Sequence, residues 1–143
     1  YQAVKGMAAA AEICRDGGLI VCAAACADGI PHGSEYHRML QEAPDIAGLA
    51  RAFREDPETR PDQWQIQIQA RIQERCEVAV VSDSLSAAEL AECHLQKVDD
   101  LEGLLAEAAA AGKSIAVLPE GPLTIPYVRQ FSSPNPVRIG GGG

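Results

Sequence analysis

LIVCAAAC, residues 19–26, lies between Asp16-Gly17-Gly18 and Asp28-Gly29-Ile30-Pro31-His32-Gly33. A short unbroken apolar run bounded by turn residues has no polar side to turn toward water, the pattern of a strand buried on both faces in a parallel sheet. EVAVVSD, residues 77–83, repeats the pattern. HLQKV, 94–98, reads as a short strand, and SIAVLPEGP, 114–122, as a last strand with its exit loop. Segments of helical character separate these runs, and that alternation predicts an α/β fold in three layers. The expected core is a mainly parallel sheet of about four strands with helices on both faces and right-handed crossovers.

The intervening segments carry their own signals. Residues 2–14 contain no proline and place Val4, Met7, Ala8 and Ala11 at helical spacing, so a helix is expected there. Ser34–Gln41 and Asp45–Arg54 read as two more, with Pro44 in the first turn of the second. DQWQIQIQARIQERC, 62–76, is ambiguous: its glutamines alternate with Trp64, Ile66 and Ile68 as in a strand, yet Trp64, Ile68, Ile72 and Cys76 are four apart. Length and an Asp62–Gln65 capping-box spacing favour helix. Ser86 with Glu89, and Asp99 with Glu102, predict two further capped helices, the last ended by Gly112. Residues 1–128 are expected to form one α/β domain. From 129 to 143 the chain turns to Ser, Pro and Gly without apolar periodicity, an extended tail in which a non-native scar is one reading.

Composition narrows the function. With 143 residues there is material for one domain. A formal charge of −8, with no basic run, argues against a nucleic-acid surface. No stretch approaches the ~20 apolar residues that span a bilayer, and no export signal is visible, so a soluble cytoplasmic protein is expected. Five cysteines in apolar or helical contexts read as reduced thiols.

Chemistry-bearing motifs are sparse. Cys22, Cys26 and His32 are conceivable zinc ligands, but no second closely spaced pair completes them, and buried small hydrophobes explain the cysteines as well. The expectation is no metal and no catalytic residue in this chain. His32 and His37, five apart, would diverge on a helix; with His94 they read as surface or packing side chains. Neither GxGxxG after the first strand nor GxxxxGK[ST] occurs. The loop 28–33 follows a parallel strand, where open α/β sheets take ligands, and is a candidate wall of a site or a plain turn into the next helix. The start of the chain is distinctive: Gln2 and Lys5 lie one turn apart on a helix that begins without a methionine, as though sequence precedes it.

YQAVKG with its small-residue helix, GGLIVCAAACADG, DQW with its long helix, VAVVSD and VLPEGPLTIPY occur in an order that resembles the C-terminal domain of the nickel-pincer lactate racemase family, over residues 1–128. YQAVKG and LPEGPLTIP are the most specific pieces. The resemblance implies an enzyme that interconverts 2-hydroxy acid stereoisomers by hydride transfer to a nickel-pincer nucleotide. That cofactor and the acid/base histidines would belong to an N-terminal domain before Tyr1, making this chain alone inactive. It implies substrate binding by Gln2 and Lys5, with Trp64 close to the site, and no cofactor-binding residue here. The sequence departs from the family at Ile30-Pro31, where a rigid proline enters the loop. Two readings of other classes remain: a non-catalytic α/β binding or interaction module, and a small Rossmann-like nucleotide binder using the 28–33 loop.

Overall fold

Three strands, β1 (Leu19–Ala23), β2 (Glu77–Val81) and β3 (Gln96–Lys97), pair in parallel in that order. Parallel neighbours need long crossovers. Here α2 (Glu35–Gln41), α3 (Ile46–Glu55) and α4 (Gln63–Gln73) connect β1 to β2, and α5 (Ala87–Glu92) connects β2 to β3. α1 (Ala3–Ala11) precedes the sheet; α6 (Leu101–Ala110) and a 3₁₀ turn, Gly121–Leu123, follow it. This computed structural model describes residues 2–56 and 58–127, so the tail expected at 129–143 lies outside the described residues. The fold is of the α/β class that the alternation predicts.

Register decides which face is the core. Ile20 pairs with Val78 and Cys22 with Val80, so these side chains share one face of the pleat. Val4 and Met7 of α1 and Ile66 of α4 join Ile20, Val78 and Val80 in a single buried cluster. The alternate residues Leu19 and Val21 face the other way, and Leu19 is 43% exposed. Leu101, Leu104 and Leu105 of α6 stand across an open groove of about 2070 Å³ from them.

The expected fourth strand is absent, and the sheet has three strands among the described residues, not about four. Residues 114–117 are exposed and pair with nothing in a ladder. β propensity alone does not make a strand; a neighbouring edge must take its N–H and C=O groups. α6, rich in alanine, buries no residue, so little apolar contact holds it against the sheet and carries the segment after it to the open edge of β1. β1 itself ends at Ala23 and not at Cys26, because β2 ends at Val81 and the last rung is Ala24 N–H to the Val81 carbonyl at 3.0 Å.

Helix starts differ in detail from expectation. Ser86 and Glu89 form the reciprocal capping box. Asp62 does not cap α4: its backbone is left-handed at φ 62°, it makes no side-chain cap bond, and Gln65 points inward, fully buried. α6 is capped by Asp100, not Asp99, through Gly103 N–H at 2.8 Å. Pro44 precedes the Asp45 cap of α3 and does not enter its first turn. The glutamine-rich stretch is helical, and its inward glutamines explain the strand-like alternation. Gln69 donates to the Cys93 carbonyl at 2.8 Å and Gln73 to the His94 carbonyl at 2.9 Å, holding the turn after α5. His94 sits there at φ 57° and donates from Nε2 to the Leu40 carbonyl at 2.7 Å, a packing role as its sequence context suggests. Arg60 fixes the entry to α4 by reaching Glu35 and Glu42 at 2.6 Å each, and it holds the Glu42 carboxyl below its ordinary value.

Candidate functional site

α1 presents two sides because Val4, Met7 and Ala11 are fixed in the core. The outward side carries Gln2 and Lys5, three residues apart and both exposed. Gln2 occupies the N-cap position without making a side-chain cap, so no side chain of its own satisfies the first N–H groups of the helix. Lys5 makes no ion pair with any described residue.

Gln2 and Gly6 line the groove that runs along α1 to the C-terminal end of β1. Lys5 lies on the adjoining flank of the helix, outside the lining itself. The loop after β1 supplies the next wall through Cys26, Asp28, Gly29 and Pro31, and Asp62 at the start of α4 lines it too. Gly29 takes φ 69° and Gly33 φ 74°, a left-handed backbone that allows the loop to fold back toward α2. This is the crevice beyond the carboxyl end of a parallel strand, where α/β sheets commonly take ligands. Trp64 is 48% exposed on α4, two residues beyond Asp62, and does not itself line the groove.

The far wall comes from the other end of the chain. A Cβ on Gly6 would lie 3.7 Å from Pro122, and one on Gly121 would lie 3.4 Å from the Gly6 Cα. The two most specific sequence pieces, YQAVKG and LPEGPLTIP, therefore touch. Sequence reading placed no role on Gly6, although a lone glycine within an alanine-rich helix signals a close approach.

Three of the five thiols are held protonated by their surroundings. Burial pushes Cys93 up to about 11, and burial together with Cys76 pushes Cys14 up to about 11. Burial also raises Cys22, with Cys26 adding to it. Protonated sulfurs are poor nucleophiles and ligands, as expected of small hydrophobes. Cys22, Cys26 and His32 do not converge as a metal cluster among the described residues; His32, His37 and Glu92 do. The expected divergence of His32 and His37 is wrong, since only His37 is on α2 and the turn before Ser34 brings the two rings to 4.8 Å.

Comparison with known proteins places these features in context. Residues 1–125 match the family model described as "Lactate racemase C-terminal domain". The chain is 40% identical over 127 residues to the lactate racemase of Thermoanaerobacterium thermosaccharolyticum, covering 85% of this chain and 29% of that protein. To the lactate racemase of Lactiplantibacillus plantarum it is 34% identical over 127 residues, covering 85% of this chain and 30% of that protein. The solved lactate racemase apoprotein from T. thermosaccharolyticum superimposes with a TM-score of 0.64 at 37% identity, over 75% of this chain and 26% of that one. The chain thus spans about 30% of the length of the curated relatives it matches.

Proposed function

Because this chain belongs to the lactate racemase C-terminal domain family, we propose that it is the substrate-positioning part of a 2-hydroxy acid racemase or epimerase. The observation that carries the proposal is the groove-lining Gln2 beside an exposed Lys5 that no described residue neutralises, at the start of a helix without a side-chain cap. An α-hydroxy carboxylate suits that constellation. The ammonium of Lys5 donates a charge-assisted hydrogen bond to the carboxylate, and the N-terminal end of α1 adds a favourable field. The Gln2 amide, donor and acceptor at once, reads the carboxylate or the hydroxyl. Trp64, exposed on α4 outside the groove lining and two residues beyond the groove-lining Asp62, is assigned here as an apolar neighbour of the bound acid.

In this proposal a nickel-pincer nucleotide, held by an N-terminal domain, would supply the hydride-accepting chemistry. The lining of the groove, among the described residues, holds no histidine, so the residues at the candidate site do not themselves suit that group. What this chain contributes is orientation. Holding the carboxylate at one place leaves C2 of the substrate at a defined position and lets the same grip serve both stereoisomers. Ile115, Val117, Leu123, Ile125 and Tyr127 are between 47% and 91% exposed, and this apolar stretch is the surface we assign to contact with the N-terminal domain.

The test joins this chain to its N-terminal half, with matured cofactor, and follows loss of optical activity over a panel of 2-hydroxy acids. Turnover by the joined protein and none by the 143-residue chain is the expected result; no turnover with any member of the panel would refute the assignment.

A further inference from the structure

We propose that His32, His37 and Glu92 form a binding site for one divalent transition cation of the zinc class, tying the loop after β1 to α5. This does not depend on the racemase reading. The three side chains come from three separate segments: the loop before α2, the first turn of α2 and the last residue of α5. Their donor atoms lie within 4.8 Å of one another.

The local fold sets them there. Ser34 caps α2 by accepting from His37 N–H at 3.2 Å, which fixes the first turn. Upstream, His32 N–H bonds to the Ile30 carbonyl at 2.7 Å and Ser34 N–H to the Pro31 carbonyl at 3.1 Å, so the loop doubles back and sets the His32 ring edge-on against His37. His37 is only 6% exposed and aims Nε2 at Glu92 Oε2, 2.9 Å away. Metal bonds of 2.0–2.2 Å in a tetrahedral site put donors about 3.3 Å apart. The His37–Glu92 pair is already near that spacing. His32, exposed on its loop, needs a shift of roughly 1–1.5 Å to match it.

Two imidazoles and one carboxylate are a donor set used by zinc sites that keep a fourth position open for water. The surroundings favour a cation. Glu89, one turn before Glu92, adds a second carboxylate to the same helix. The chain as a whole carries a formal charge of −8. A simple ion pair between His37 and Glu92 accounts for the 2.9 Å contact but gives no part to the His32 ring.

The experiment titrates the tag-free, metal-free 143-residue chain with Zn²⁺ by calorimetry and with Co²⁺ by visible absorption, and reads the thermal midpoint with each ion. One ion per chain, a raised midpoint and a cobalt spectrum without sulfur-to-metal charge transfer are expected. His32→Gln and Glu92→Gln, both at exposed positions, should each weaken binding at least about tenfold and abolish the thermal shift while leaving the far-ultraviolet spectrum unchanged. No binding, binding unaffected by both substitutions, or a thiolate charge-transfer band would each overturn the proposal.

Discussion

EVAVV at 77–81 and SIAVL at 114–118 carry almost the same local signal and meet opposite fates. The first is the central strand, with Val78, Ala79 and Val80 no more than 4% exposed. In the second, Ile115 is 47% and Val117 79% exposed. What separates them is their delivery to a partner. β2 follows α4, whose Ile66 and Ala70 are buried and lock it to α1 and the sheet, whereas the second segment follows α6, which buries nothing. Apolar patterning proposes a strand, and the burial of the preceding helix decides whether it finds an edge.

The contrast can be broken or sharpened by substitution. The largest effect is expected at the central strand: Val80→Ala should cost about 2 kcal/mol in denaturant unfolding, since a buried side chain loses its contacts and leaves a void. Raising the pH should then separate the regions without mutation. The Cys93 thiol is raised from 9.0 to about 11 in the folded body, so the native state holds its proton more tightly than the unfolded chain. Its contribution is full below pH 9 and is lost as pH rises through about 11, which a series of unfolding curves from pH 8 to 11 would register as falling stability.

Smaller effects follow from local structure. Ser86→Ala removes the hydroxyl that accepts from Glu89 N–H and donates to the Glu89 carboxylate, leaving only the backbone half of the α5 capping box, and should cost about 1 kcal/mol by the same unfolding measurement. Gly6→Ala should gain about 0.5–1 kcal/mol, because the new Cβ meets Pro122 at ordinary contact distance and glycine is a poor helix former. Gly6→Leu should instead push the 121–123 turn off α1, visible as faster proteolysis after Pro119. At the bottom of the scale, Val117→Ala should change stability by less than about 0.5 kcal/mol in the isolated chain, since its side chain is already in water.

The sheet, its parallel sense and the existence of six helices could be read from apolar periodicity and turn residues. Single turns could not: the Asp62–Gln65 spacing looks like a capping box, but Gln65 is wanted inside and a left-handed Asp62 starts the helix instead. In the candidate site, Gln2, Lys5 and the 28–33 loop were legible as a helix face and a strand-end loop. The meeting of Gly6 with Pro122 was not, because it joins opposite ends of the chain. The His32–His37 contact escaped for a related reason, as helical spacing does not apply when a cap at Ser34 falls between two residues.

The measurement that bears most directly on the central claim is kcat/KM for racemisation by the full-length protein carrying Lys5→Met, with Arg51→Met, a charge removed from the exposed side of α3 outside the groove, as a control. Loss of a charged anchor costs about 2–5 kcal/mol, so the account predicts a fall of roughly 30-fold to several thousand-fold for Lys5→Met and turnover near wild type for the control. Equal kcat/KM in wild type and Lys5→Met would contradict it.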